Sequence, residues 1–201
     1  MDLGILAATF GAIFIVELPD KTFIAALVLS TRYRPLAVWL GVGLAFGVQT
    51  LVAVTVGTLA TLLPDTLIKS VAIAIFLLGA VVLFRTAPGA DAAEKEQEEE
   101  YAAKAVEPKT FAKALVASFL VLFAAEWGDL SQLLTISFVT RYHDHLNVFI
   151  GAWAALLTVS GLAVVAGRVL LRYLRLSVLH YIGAAVCLVL AVATLAEVLT
   201  S

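Results

Sequence analysis

Two short clusters hold the residues of this 201-residue chain best able to do chemistry. Glu17, Asp20, Lys21 and Thr22 form the first; Glu126, Asp129, Ser131 and Gln132 form the second, 109 positions later. Each cluster sits near the middle of a long apolar run. An acidic residue at the centre of a membrane helix costs roughly 2.5 to 3.5 kcal/mol, so four cost on the order of 10 to 14 kcal/mol unless something compensates. One lysine cannot neutralise four carboxylates. Carboxylates beside hydroxyl and amide oxygens are hard ligands, suited to Ca2+, Mn2+ or Mg2+ and not to thiolate-seeking metals. The expected metal ligands are therefore Glu17, Asp20, Thr22, Glu126, Asp129, Ser131 and Gln132, joined by Gln49 from the middle of the next apolar run. Within each cluster the Glu and Asp are three residues apart, which on a continuous helix puts both on one face. Pro19 and Gly128 occupy matched places, where a helix is easily kinked or unwound and its carbonyls freed.

The elements that must position these residues are membrane helices. The chain is 62% hydrophobic and 14% charged, with a mean hydropathy of +1.04, far from the balance of an ordinary soluble domain. Thirteen Lys and Arg against fifteen Asp and Glu leave no basic surplus for phosphates, which argues against nucleic acid as a partner. The single cysteine, Cys187, excludes an internal disulfide, a redox pair and a thiolate metal site, and no resident cofactor is expected. Six apolar runs are long enough to span a bilayer, at about 3–30, 36–63, 67–84, 111–140, 146–169 and 176–198. The first follows Asp2 and contains Glu17, Asp20 and Lys21, unlike a signal peptide, so it is read as a retained helix. The fold class expected is an all-α polytopic membrane protein.

Lys and Arg concentrate in cytoplasmic loops. Arg32, Arg34, Arg85, Lys95, Lys104, Lys109, Lys113, Arg168, Arg172 and Arg175 fall in the first, third and fifth loops, against Lys69 and Arg141 on the other side. That asymmetry places the protein in the cell membrane with the central loop cytoplasmic and both termini outward. The central segment, 87–110, is rich in glutamate and bounded by Pro88 and Pro108, the composition of a hydrophilic connector. His143, Asp144 and His145 read as solvated loop residues, and Glu197 as a side chain reaching for water.

The halves on either side of this connector repeat each other. Besides the acidic clusters, Thr31-Arg32-Tyr33 recurs as Thr140-Arg141-Tyr142 at the same offset, and residues 36–41 align with 146–151 after one residue of slip. Three crossings per half is an odd number, so the second copy enters the bilayer from the opposite side. The expectation is two inverted three-helix repeats, 1–86 and 111–201, around the linker 87–110. Such repeats place substrate near the midplane and expose it alternately to the two sides.

The doubled motif resembles that of the Gdt family of cation exchangers, E-x-G-D-[KR]-[ST] once per half. Glu17, Asp20, Lys21 and Thr22 match it in the first copy, and Glu126, Gly128, Asp129 and Ser131 in the second. Pro19 stands where the family has Gly, and Leu130 where it has a basic residue. The resemblance implies a secondary transporter, not an enzyme, that exchanges Mn2+ or Ca2+ for protons, with metal leaving the cytoplasm. Desolvation and repulsion favour protonated carboxyls in an empty site, whereas a bound dication expels the protons. A passive cation channel, an intramembrane enzyme with a carboxylate pair and an exporter of organic solutes are the competing readings. A homodimer stays open, with Gly43 and Gly47 read as close packing inside the bundle.

Overall fold

In lipid every backbone N–H and C=O must be satisfied within the segment itself, so long apolar runs become helices. The computed structural model, which describes residues 2–18, 21–104, 110–173 and 176–200, is helical almost throughout. Four of the apolar runs form single helices long and apolar enough to cross a membrane: α3 (Pro35–Ala60), α4 (Asp65–Thr86), α8 (His145–Tyr173) and α9 (Leu176–Thr200). The first and fourth runs, in which Pro19 and Gly128 mark places where a helix is easily kinked or unwound, are each divided. The first becomes α1 (Leu3–Glu17) and α2 (Lys21–Arg32); the fourth becomes α6 (Phe111–Ala125) and α7 (Leu130–Tyr142), bent from each other by 73°. Counting that bent pair as one span raises the number of membrane-capable segments to five. The connector is more ordered than its composition suggests, with a helical turn at Ala87–Gly89 leading into α5 (Ala90–Lys104).

α3 and α8 form the centre. Within their most apolar stretches 61% and 44% of the residues are buried, against 17% and 28% in α4 and α9. The latter pair packs together at the periphery and exposes side chains such as Leu78, Val82, Leu188 and Val189, as a surface facing acyl chains would. α3 and α8 cross antiparallel through two indoles: Trp39 Nε1 donates to the Leu157 carbonyl at 3.0 Å, and Trp153 Nε1 to the Gly43 carbonyl at 2.9 Å. Gly43 and Gly47 make room for this seam, a Cβ on Gly43 falling 2.6 Å from Leu157 and one on Gly47 3.2 Å from the Trp153 indole.

α1 packs on α8, and α6 on α3. The two contacts are built alike: Gly151 lies against the backbone of Leu6 and the side chain of Thr9, while Gly41 lies against the backbone of Leu115 and the side chain of Ser118. Leu6 and Thr9 stand 109 positions before Leu115 and Ser118, so the repeat seen in sequence reappears in packing. Small residues here let backbones approach closely, the usual basis of helix association in lipid. The linker helix α5 lies against α2 and α9, held by Asp91, whose carboxylate accepts from Ser177 N at 3.1 Å and Ser177 Oγ at 2.8 Å.

A Cβ on Gly41 would stand 2.4 Å from the Leu115 carbonyl oxygen, and one on Gly151 2.8 Å from that of Leu6, with backbone unable to yield at either place. Gly41→Ala should therefore lower stability by about 1 to 3 kcal/mol, as overpacking does, with Gly151→Ala somewhat milder. Gly11→Ala, where nothing lies within 4 Å, should be neutral. Thermal aggregation of the detergent-solubilised protein measures all three.

Candidate metal centre

Both helix breaks fall at the acidic motifs. α1 ends on Glu17, α6 ends one residue before Glu126, and Asp129 immediately precedes α7. Glu126 and Asp129 thus do not share a face of one helix, as the i to i+3 spacing suggested; they flank the bend. The bend turns on Gly128, whose φ of +81° is the left-handed conformation that only glycine adopts without strain.

One carboxylate oxygen from each of Glu17, Glu126 and Asp129 lies within 4.8 Å of the other two. Three atoms so spaced always leave some point no farther than about 2.8 Å from every one of them, which is 4.8 Å divided by √3. Ca2+ takes oxygens at 2.3–2.6 Å, so a shift of a few tenths of an ångström would close the three around it. Glu17 and Glu126 are only 1% and 2% exposed, and Asp129 is partly exposed. Burying adjacent carboxylates away from water strongly disfavours having all of them ionised without a cation. The broken helices add their own field: the negative ends of α1 and α6 point toward the centre, which favours a cation, while the positive end of α7 meets the Asp129 carboxylate.

The remaining expected ligands divide by position. Thr22, fully buried in α2, has no hydrogen-bond partner for its Oγ1 among the described residues. Ser131 is bound to Asp129, its N and Oγ donating to Oδ2 at 3.3 and 3.4 Å; this makes Asp129 the N-cap of α7. Gln132 serves the bend, its Nε2 donating to the Glu126 carbonyl at 2.5 Å and its Oε1 accepting from Gly128 N at 3.2 Å. Gln49, buried in α3, donates from Nε2 to the Phe123 carbonyl at 3.1 Å, in the last turn of α6 where carbonyls lose their helical partners. These two amides hold the backbone around the carboxylates, a role that residue type alone did not disclose. Asp20 and Pro19 lie outside the described residues, as does the side chain of Lys21.

Leu130, where the motif has a basic residue, packs against α4. A Cβ on Gly79 would stand 3.0 Å from Leu130 Cδ1 and 3.4 Å from Cys187 Sγ. A lysine here would enter an apolar groove between α4 and α9. Outside the motifs, Glu197 is not simply solvated: it forms an ion pair with Arg141. Asp144 caps α8 by accepting from Asn147 N and Nδ2, and these hydrogen bonds hold its carboxyl below the usual carboxylate range.

A family model described as "Divalent cation/proton antiporter GDT1" matches residues 5–91 and 114–201. Protein PAM71, chloroplastic, of Arabidopsis thaliana is 28% identical over 221 residues, covering 99% of this chain and 60% of that protein. GDT1-like protein 2, chloroplastic, of Oryza sativa subsp. japonica is 30% identical over 210 residues, covering 93% of this chain and 59% of its own length. A GDT1-like protein of Synechocystis is 32% identical over 179 residues, covering 81% of this chain and 86% of its own length. The chain thus spans about three fifths of the length of the two chloroplast relatives. No solved structure matches it.

Asp129 has two separable tasks, a charge in the cluster and a cap on α7. Asparagine caps nearly as well as aspartate, whereas alanine does not. Asp129→Asn should keep thermal stability close to wild type yet weaken Mn2+ or Ca2+ binding, read by isothermal titration. Asp129→Ala should lose binding and also about 1 kcal/mol of stability. Equal loss of stability in both would mean the carboxylate is structural only.

Proposed function

The chain belongs to the GDT1 family of divalent cation/proton antiporters, and from that premise we propose that it exchanges Mn2+ or Ca2+ for protons through Glu17, Asp20, Glu126 and Asp129. The family is one of transporters, so the reading as an intramembrane enzyme is set aside. The observation that carries the proposal is that Glu17 from the first half and Glu126 with Asp129 from the second bring carboxylate oxygens within 4.8 Å of one another. Residues 109 positions apart serve one centre.

Competition supplies the coupling. Buried carboxyls without a cation take up protons, and a dication displaces them, because the pocket cannot hold both charges in full or neither. Thr22 would add a hydroxyl oxygen, Ser131 another beside Asp129, and Gln49 and Gln132 keep the broken backbone in place. The six apolar runs form two inverted three-helix repeats in this reading. Its support is the matched division of the first and fourth runs and the matched contacts of α1 with α8 and α6 with α3. One half rocking against the other would expose the centre alternately to the two sides. The basic loops put the linker in the cytoplasm, and with protons more abundant outside, inward proton flow would drive metal out. A passive channel would use the same carboxylates without proton movement.

The test is reconstitution in liposomes with a trapped pH dye. Adding Mn2+ or Ca2+ should move protons with wild type and should not with Glu17→Gln or Glu126→Gln, both of which should purify as folded protein. Metal flux with no proton movement would make the protein a channel, and full exchange in both variants would remove the carboxylates from the mechanism.

A further inference from the structure

The duplicated Thr-Arg-Tyr that follows each acidic motif has no part in the exchange chemistry. Its second copy closes α7. There Arg141 Nη2 donates to Glu197 Oε1 of α9 and forms an ion pair with it, Nη1 reaches Thr194 Oγ1 at 3.5 Å, and the guanidinium carbon lies 5.6 Å from the centroid of the Tyr142 ring. The pair stands at the edge of a cavity of about 230 Å³ between α4, α7 and α9, which Lys69, Phe76, Ser137 and Thr140 also line.

The walls of this cavity suit a cation and its centre does not. Ser137, Thr140 and Thr194 each donate their hydroxyl hydrogen to a carbonyl of their own helix, at 2.9, 2.9 and 2.8 Å. Their oxygens therefore present lone pairs, as the Glu197 carboxylate does. Against these acceptors stand Arg141 and Lys69. A cation can occupy the cavity only if Glu197 gives up the guanidinium. Leu130, Leu134, Ser137 and Arg141 fall on one stripe of α7 at helical spacing, so this stripe runs from the carboxylate centre, through two leucines, to the cavity. Leu134 is fully buried, and Phe76, which lines the cavity, nearly so. α7 itself, 13 residues and about 20 Å long, starts at Asp129 and ends beside Arg141.

We infer that Arg141 and Glu197 are the gate pair of one mouth of the cation path, an inference that rests on the exchange reading above. Joined, they pin the far end of the helix whose near end carries Asp129, and they set a guanidinium across the mouth. An arriving dication that draws Glu197 away parts them and frees α7 to move. Among the described residues that line the cavity, the charged and titratable groups beside Glu197 are Arg141 from α7, Lys69 from α4 and His143 just beyond α7. At the opposite end of the bundle the first copy of the motif repeats the arrangement with a different acid: Thr31 and Arg32 of α2 line a cavity with Glu98 of the linker helix α5. The arginine that the repeat duplicates thus faces an acid at each end, from the last span at one mouth and from the linker at the other.

The test needs no transport. With Cys187→Ala as background, Leu134→Cys places a thiol behind the pair, and a membrane-impermeant thiol reagent reports whether the mouth is open. Labelling should be slow with the pair intact and roughly fivefold faster with Glu197→Gln or Arg141→Gln, the shift that loss of about 1 kcal/mol of ion pairing gives. It should slow again in the exchanged double variant Arg141→Glu with Glu197→Arg. Mn2+ binding at equilibrium should stay within about twofold in all of them, since none touches the carboxylate centre. Ser137→Cys, on the cavity wall, gives the same readout where Leu134→Cys does not fold. Unchanged labelling rates in variants that bind metal normally would overturn the gate. A wild type that moves no metal while its labelling responds to the pair would overturn the exchange reading and leave the gate standing.

Discussion

The organising constraint is the burial of three carboxylates close enough to share one ion. Glu17 and Glu126 are all but removed from solvent, and with Asp129 they bring oxygens within 4.8 Å. Two or three negative charges at that separation, in surroundings of low dielectric, cannot coexist unless protons or a cation intervene. A protein that needed only a stable bundle would have leucine in these places.

Breaking two helices is how the acids reach a common point. A continuous helix through residues 111–140 would carry Glu126 past the centre on one side and aim its successors along the same axis. Ending α6 at Ala125 and restarting at Leu130, 73° away, turns Glu126 and Asp129 inward from both sides of the gap. The gap exposes carbonyls that lipid cannot satisfy, and the chain meets this with side-chain amides. Gln49 reaches across from α3 to the Phe123 carbonyl, and Gln132 folds back to Glu126 and Gly128. The two glutamines thus serve the broken backbone.

Much of this was legible in the sequence. Composition named a membrane protein, the six apolar runs gave four single helices and two divided ones, and the doubled acidic motif led to the centre and the family. Pro19 and Gly128 marked where a helix is easily kinked or unwound; the steep restart of α7 shows only in the φ of Gly128 and the 73° turn. The helical i to i+3 spacing misled because it presumed an unbroken ladder between the acids. Side chains acting across long sequence separations were invisible too: nothing local to Glu197 announces Arg141, 56 residues earlier, and nothing local to Asp91 announces Ser177. A glutamate-rich stretch reads as a solvated, partly helical connector; that its helix packs, with Tyr101 and Ala90 buried against the bundle, shows only in the fold.

The departure at Leu130 shows how the two halves of a duplicated site come to differ. In the first half the corresponding residue is Lys21, a cation beside the acids in sequence. In the second half that position faces α4, where Gly79 leaves room for a leucine and Cys187 closes the groove behind it. A lysine buried there would lose hydration with no acid on that wall to repay it, and the leucine instead anchors the start of α7 against the peripheral pair. The second half thus gives up a charge and gains a fixed hinge, so the half carrying two of the three assembled carboxylates is also the one with fewer positive charges near them. That exchange leaves the acids of the second half without the positive neighbour in sequence that Lys21 gives those of the first.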